Sequence, residues 1–179
     1  TIGGSICHAD PSADYPTAIL AADAVVVAAS ANGRREIPAG EFFLDWFETA
    51  LQPGELVAAV RLPPSDSRTA VHYEKFTRAD GDFATVSVAA TLRLEDGAIA
   101  ALTLAVGGAG ETPLRDGDAE AAALGRPLDA ALLTELGEAL AARCNPIDDL
   151  RGSAEYRLKL VPRLIARALR AAARAIERG

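Results

Sequence analysis

Thr1-Ile2-Gly3-Gly4-Ser5-Ile6-Cys7-His8-Ala9-Asp10-Pro11-Ser12-Ala13-Asp14 is the most informative stretch of this chain. A hydroxyl residue and an aliphatic lead into two glycines and a serine. Such a backbone turns sharply, because glycine reaches φ > 0 without a Cβ clash. Successive N–H groups in a turn of this kind form a nest for a phosphate or pyrophosphate. Farther on, the Asp14 carboxylate is available to accept hydrogen bonds from sugar or polyol hydroxyls. The spacing is not G-x-G-x-x-G, no strand precedes it, and no Gly-Lys-Ser/Thr closes it. From the residues alone, a nucleotide loop and a plain tight turn both stay open.

Composition narrows the class. Half of the 179 residues are hydrophobic and 24% are charged, enough for one sizeable core or two small ones. No run of about 18 apolar residues is present, so no membrane span is expected, and no targeting peptide is visible. Cys7 and Cys144 are too few and too far apart for a disulfide framework, an iron–sulfur cluster or a structural zinc. Two reduced thiols in a cytoplasmic protein are the expectation.

The net charge of −7 is unevenly placed. From Arg151 onward eight Lys and Arg residues face only Glu155 and Glu177, so the tail carries +6 and the first 150 residues −13. An acidic body argues against nucleic acid as a partner. Arg163, Arg167, Arg170, Arg174 and Arg178 recur at helical spacing. Val161, Leu164, Ile165, Ala168, Leu169, Ala172 and Ile176 form the opposite stripe. This is an amphipathic helix with a solvated arginine face or a docking surface for a partner subunit.

Pro63-Pro64-Ser65-Asp66-Ser67 reads as a linker, dividing the chain into 1–64 and 68–179. Before it, Ala24 to Ser30 is a buried strand, Asn32-Gly33 a hairpin turn, Glu41 to Glu48 a short helix or turn with four aromatics, and Glu55 to Leu62 a strand. After it, Val71 to Arg78, Thr85 to Leu94 and Ile99 to Val106 form an antiparallel sheet turning at Glu95-Asp96-Gly97. Gly107, Gly108 and Gly110 read as a flexible exit. Helices follow at about 116–124, 129–143 and 153–177, with Ser153 as N-cap of the last. Pro162 inside that helix predicts a bend or a fresh start. The fold class is α+β, with three strands packed on three helices in the second part.

Four segments together resemble a known family. T-I-G-G-S-I-C-H-A-D-P-S-A-D is similar to the second flavin-binding segment of the medium, FAD-binding subunit of molybdenum hydroxylases, the aerobic carbon monoxide dehydrogenase and xanthine dehydrogenase family. E-F-F-L-D-W-F-E-T-A-L-Q-P-G-E-L-V-A-A-V-R-L-P (Glu41 to Pro63) resembles the close of its flavin domain. Y-E-K-F-T-R-A-D-G-D-F-A-T-V-S-V-A-A (Tyr73 to Ala90) resembles the entry to its C-terminal domain, and N-P-I-D-D-L-R-G-S-A-E-Y-R (Asn145 to Arg157) the start of its last helix.

The resemblance implies the C-terminal half of a two-subdomain flavin-binding domain of the vanillyl-alcohol-oxidase-like (PCMH) type, followed by a small C-terminal domain. It implies FAD as cofactor, with Thr1, Ile2, Gly3, Gly4 and Ser5 along the pyrophosphate and ribityl region and Asp14 on cofactor hydroxyls. Val57 is implied near the adenine end, and Lys75 reaches in from the second domain. Asp82 and Phe83 are implied beside the flavin ring. Molybdopterin and [2Fe-2S] clusters are expected only on a large and a small partner subunit, with NAD, a quinone or oxygen as electron acceptor. No catalytic residue is expected here, because the redox chemistry belongs to the cofactor. In the family an A-G-G-x-S segment precedes T-I-G-G, so the chain reads as a fragment carrying half of the site, inactive alone.

Two other readings stand beside this one. A flavin oxidoreductase acting directly on substrate needs a base or a covalent flavin residue, for which His8 is the candidate. A non-enzymatic α+β interaction module would use the acidic body and the arginine helix. His8-x-Asp10 in a loop, and His72 on a strand surface, read as hydrogen-bonded residues rather than metal ligands.

Overall fold

The computed structural model describes residues 1–64, 66 and 68–178. The linker reading at Pro63 to Ser67 includes Ser65 and Ser67, which lie outside the described residues.

The first part opens with a correction. Thr1 to Ser5 is not a turning loop but the start of helix α1, Ile2–His8. Gly3 and Gly4 are both helical, and neither has positive φ. Glycine is a weak helix former, costing roughly 1 kcal/mol relative to Ala, so tertiary structure overrides it. The Thr1 hydroxyl caps the helix by accepting the Gly4 N–H at 3.0 Å. Ile6 anchors it in the core, and Ala9 ends it in the left-handed conformation.

Helix α2, Asp14–Ala21, follows and is absent from the sequence reading. Its signal is Pro16 in the first turn, where a missing N–H costs nothing, ahead of the apolar Ile19-Leu20-Ala21. Strands β1 (Val25–Ser30), β2 (Gly33–Pro38) and β5 (Leu56–Arg61) form an antiparallel sheet ordered β2-β1-β5. Between them lie α3 (Ala39–Phe42) and the two-stranded β3 (Phe43–Asp45) and β4 (Glu48–Thr49). Phe42 and Phe43 turn inward edge to face, while Trp46 and Phe47 stay exposed.

The second part is an antiparallel sheet in the order β6-β7-β8-β9: Thr69–Phe76, Val86–Glu95, Ala98–Gly107 and Leu114–Arg115. The last, two-residue strand adds to the three expected. Asp96 and Gly97, both at positive φ, make the two-residue turn between β7 and β8, which matches the right-handed twist of the strands. Helices α4 (Gly117–Ala123), α5 (Ala130–Arg143) and α6 (Ala154–Arg178) follow.

Alternation along β7 explains how the parts meet. Val86, Val88, Ala90 and Leu92 share a core with Leu132, Leu136 and Leu140 of α5 and Leu164, Ile165 and Leu169 of α6. Each large side chain fully buried there contributes on the order of 1.5–3 kcal/mol. The opposite face carries small or polar residues, and α2 packs on it. Ala89 and Ala105 join the core of the first part. Thr91 and Thr103 both donate to the Ala21 carbonyl, at 3.3 and 2.5 Å.

The glycines at the end of β8 are accordingly not a flexible exit. A Cβ on Gly107 would lie 2.0 Å from Thr17 Oγ1. Gly108, at φ +73°, donates its N–H to the Pro11 carbonyl at 2.8 Å. They are close-approach points between α2, the loop before it and the sheet.

Of the two outcomes expected at Pro162, the fresh start is not seen, since α6 is one helix through it. Pro162 seats against Gly137 of α5, where a Cβ would come within 2.8 Å of its own Cβ. Burial of Leu160, Val161, Leu164 and Ile165 around it offsets the lost hydrogen bond. Ser153 caps the helix as expected, accepting the Tyr156 N–H at 3.2 Å. The arginine face is exposed at Arg163, Arg170, Arg174 and Arg178, and Arg167 pairs with Glu74 at 2.7 Å.

Candidate functional site

A cleft of about 160 Å³ opens where α1, the start of α2, β6 and the loop before β7 converge. Ser5, Ser12, Ala13, Asp14, Tyr15, Lys75, Gly81, Asp82 and Phe83 line it. Its polar centre is Asp14, the first residue of α2, where a carboxylate is favoured by the helix dipole. Tyr73 donates its phenol proton to Asp14 Oδ1 at 2.8 Å, and Lys75 Nζ donates to Oδ2 at 3.0 Å. Burial, with the bond to Asp14, pushes the Tyr73 phenol above its ordinary pKa. Tyr73 is therefore a protonated donor throughout the physiological range. Strand periodicity places Tyr73 and Lys75 on one face of β6, and packing of α2 beneath that face brings Asp14 to both.

Lys75 is shared with the loop, donating also to the Asp82 carbonyl at 2.9 Å. Asp82 Oδ1 accepts the Phe83 N–H at 2.7 Å, and Phe83 stays exposed at the rim. Ala84 N–H donates to the Ser12 carbonyl at 3.1 Å, tying this loop to the segment ahead of α2.

Of the residues singled out in the sequence, Ser5, Asp14, Lys75, Asp82 and Phe83 line this one cleft. Thr1, Ile2, Gly3 and Gly4 form the preceding turn of α1, with Thr1, Ile2 and Gly4 exposed. Val57 lies apart, half-buried against the cluster containing Ile6. Ser12 and Tyr15 are cleft residues that sequence reading missed, as is Tyr73, which does not line the cleft but holds Asp14 from behind it. The alternation Tyr73-x-Lys75 was the available signal for Tyr73.

The other candidates have structural partners. The His8 ring packs against Phe47, 5.1 Å between centroids, outside the cleft lining. Asp10 accepts the Ser12 N–H at 2.8 Å, and His72 faces Glu74 at 3.3 Å. No group of three or more His, Cys, Asp or Glu among the described residues could hold a metal ion. A larger groove, about 420 Å³, lies between the β1–β2 turn and Gln52 to Glu55. Its Arg35 is already committed to both Glu55 oxygens, at 2.7 and 2.8 Å, and to the Ala50 carbonyl. No helix among the described residues is long and apolar enough to cross a membrane.

The donor set suits a flavin dinucleotide. Hydroxyls at Ser5 and Ser12 and the Lys75 ammonium suit phosphate and polyol oxygens, the Asp14 carboxylate suits hydroxyl donors, and the exposed rings of Tyr15 and Phe83 suit an aromatic face.

A family model described as the FAD binding domain in molybdopterin dehydrogenase matches residues 1–65, and one described as the CO dehydrogenase flavoprotein C-terminal domain matches residues 71–172. The chain is 35% identical over 170 residues to the glyceraldehyde dehydrogenase medium chain of Sulfolobus acidocaldarius, covering 95% of this chain and 60% of that one. It is 34% identical over 172 residues to the carbon monoxide dehydrogenase medium chain of Hydrogenophaga pseudoflava, covering 96% and 60%. A solved carbon monoxide dehydrogenase from Hydrogenophaga pseudoflava, lacking the Mo-pyranopterin moiety, superposes with a TM-score of 0.93 at 37% identity, over 96% of this chain and 60% of that chain. The chain thus spans about 60% of the length of the relatives it matches. With two family models matched in order and the same α+β fold reproduced nearly end to end, the chain belongs to the FAD-binding medium subunits of the molybdenum hydroxylase family.

Proposed function

We propose that this chain supplies one wall of an FAD site in a multi-subunit molybdenum hydroxylase, as an electron-transfer component that touches no organic or gaseous substrate. The observation that carries the proposal is the convergence of Ser5, Asp14, Lys75, Asp82 and Phe83 on one cleft. FAD, when bound, supplies the electron-carrying chemistry between iron–sulfur clusters of a small subunit, fed by a large molybdopterin subunit, and an acceptor such as NAD, a quinone or oxygen.

The chain's own residues bind and orient. Asp14, held by Tyr73 and Lys75, accepts from cofactor hydroxyls through its remaining lone pairs. Thr1, Ile2, Gly3, Gly4 and Ser5 border the phosphate and ribityl side. Lys75 balances the phosphate charge while bridging to Asp82. Phe83 excludes water at the rim, and Asp82 places a negative charge beside it. Val57 contributes apolar backing beneath α1. The domain division follows the same logic, with 1–64 carrying the phosphate side and 68–179 contributing Lys75, Asp82 and Phe83. No residue of this set acts as acid, base or nucleophile.

The test is FAD binding by the protein in its native assembly, by absorbance of the bound flavin and by titration of the deflavinated form. Asp14→Asn and Lys75→Met are each expected to weaken FAD binding by about 10-fold or more, as loss of one charge-assisted bond does. An assembly whose FAD content and affinity are indifferent to both substitutions would sink the proposal.

A further inference from the structure

Arg157 belongs to none of the surfaces described so far. It sits in the first turn of α6, 3% exposed, in a position where a guanidinium is costly to bury. Its Nη1 donates to the Thr85 and Gly108 carbonyls at 2.6 and 2.7 Å, and Nη2 to Asp149 Oδ1 at 2.5 Å. Its Nε has no partner among the described residues. Three chain segments remote in sequence therefore meet on one side chain.

Two of these segments lead to the cleft. Thr85 ends the loop that begins with Gly81-Asp82-Phe83, and its N–H bonds the Phe76 carbonyl at 2.8 Å at the end of β6. Asp149 Oδ1 accepts the N–H groups of Arg151 and Gly152 at 2.7 and 3.2 Å, shaping the turn from 149 to 152. Burial alone would raise the Asp149 carboxyl, but the bonds from the Arg151 N–H and the Arg157 guanidinium outweigh it and hold it below its ordinary pKa. That turn delivers Arg151, whose guanidinium carbon lies 5.4 Å from the Phe83 ring centroid and whose Nη2 lies 4.0 Å from Asp82 Oδ1. Lys75 holds the loop from the cleft side, and Arg151 holds it from the outside.

We infer that Arg157 is a positioning residue for the cleft. It fixes the far end of the Gly81 to Phe83 loop through Thr85, and through Asp149 it sets the turn that presses Arg151 onto Phe83 and Asp82. A guanidinium does this and an ammonium does not, because its planar fork reaches the Asp149 carboxylate and two carbonyls at fixed angles. Its effect on ligand binding rests on the flavin reading of the cleft, whereas its effect on the loop does not.

The experiment compares wild type, Arg157→Lys and Arg151→Ala in the native assembly. It measures hydrogen exchange of the 79–84 and 160–172 segments, thermal unfolding, and FAD affinity of the deflavinated protein. Arg157→Lys is expected to speed exchange at 79–84 while leaving 160–172 protected, and to weaken FAD binding by about tenfold, the scale of coupling between neighbouring groups. Arg151→Ala, at a half-buried site outside the core clusters, is expected to reproduce both changes with no shift in melting temperature. If Arg157→Lys lowers the melting temperature but leaves exchange at 79–84 and FAD affinity as in wild type, Arg157 is merely structural and the inference fails. A protein that binds no FAD in any form overturns the flavin reading and the affinity half of the inference. Faster exchange at 79–84 in both variants would still establish the positioning of the loop. Should Arg157→Lys fail to fold, unchanged exchange and affinity in Arg151→Ala overturn the inference.

Discussion

The Tyr73 phenol donates to Asp14 Oδ1 across 59 residues of chain, at 2.8 Å, and so one oxygen of the central carboxylate is fixed before any ligand arrives. Lys75, two residues on, fixes the other. The carboxylate is preorganised by a strand of one part acting on a helix of the other.

Tyr73→Phe is expected to cost about 1 kcal/mol of stability, the net worth of one hydrogen bond. FAD affinity should fall by roughly 5-fold, because Asp14 then pivots on Lys75 alone. Urea unfolding and flavin titration read the two effects separately. A variant as stable and as tight-binding as wild type would remove Tyr73 from the site.

Asp82→Ala in the flavin-loaded assembly is expected to raise the flavin reduction potential. Removing a nearby negative charge eases formation of an anionic reduced ring, by on the order of 30 mV for one solvent-screened charge a few ångströms away. Spectroelectrochemical titration measures it, and an unchanged potential places Asp82 outside the electrostatic reach of the ring.

Gly107→Ala tests the seam between α2 and the second sheet. The new Cβ would stand 2.0 Å from Thr17 Oγ1 and 2.7 Å from Ser87 Oγ. Overpacking of this kind costs about 1–3 kcal/mol. Thr17→Ala in the same chain should restore part of the loss, since the two sites share the clash. Denaturant midpoints of the single and double variants decide it.

The Arg35–Glu55 pair predicts a pH dependence with a definite sign. The Arg35 side chain and the Gln52 N–H hold the Glu55 carboxyl down at about 2, against an ordinary value of 4.5. A carboxyl depressed on folding contributes stability that is fully present above its unfolded pKa and lost as pH falls through its folded one. The stability gap between wild type and Glu55→Gln is therefore expected to be constant above about pH 5, to shrink below 4.5 and to close near 2. A gap that instead grows on acidification would contradict the assignment.

The two thiols should separate under alkylation. Burial pushes Cys144 up to about 11, and its Sγ donates to the Leu140 carbonyl at 3.2 Å, whereas Cys7 is exposed on α1. Since the thiolate is the reactive form, iodoacetamide at pH 8 should label Cys7 and spare Cys144 in the folded protein. Peptide mapping checks this.

What was legible in the chain, and what was not, divides by the range of the interactions involved. β7 and β8 announce themselves by β-branched runs and the Asp96-Gly97 turn, and α6 by an apolar stripe at helical spacing. These signals are local. The Thr1 to Ser5 segment misleads because glycine permits both a loop and a helix. The burial of Ile6 and the cap at Ala9 decide for the helix, and neither is visible in the glycines themselves. Gly107 and Gly108 mislead in the same way, since what they make room for is Thr17 of α2 and the Thr85 carbonyl. Of the bend or fresh start forecast at Pro162, the fresh start does not occur, because α6 continues through it against Gly137.

Period and composition alone determined the α+β class and the order of β6, β7, β8 and the three helices that follow, though not the short β9, because hydrophobic alternation and helical periodicity are properties of neighbours in the chain. The motif beginning at Thr1 and the three later segments pointed to the flavin family without any fold in hand. The cleft was decided elsewhere. It exists because α2 lays its buried face on the small-residue side of β7 and β8, carrying Asp14 to Tyr73 and Lys75 and the Ser12 carbonyl to Ala84. It is held because Arg157 gathers Thr85, Gly108 and Asp149 on one guanidinium. Apart from the local Arg157–Asp149 pair, those contacts join residues many tens of positions apart, and only the closing of two packed layers on each other brings them within hydrogen-bond reach.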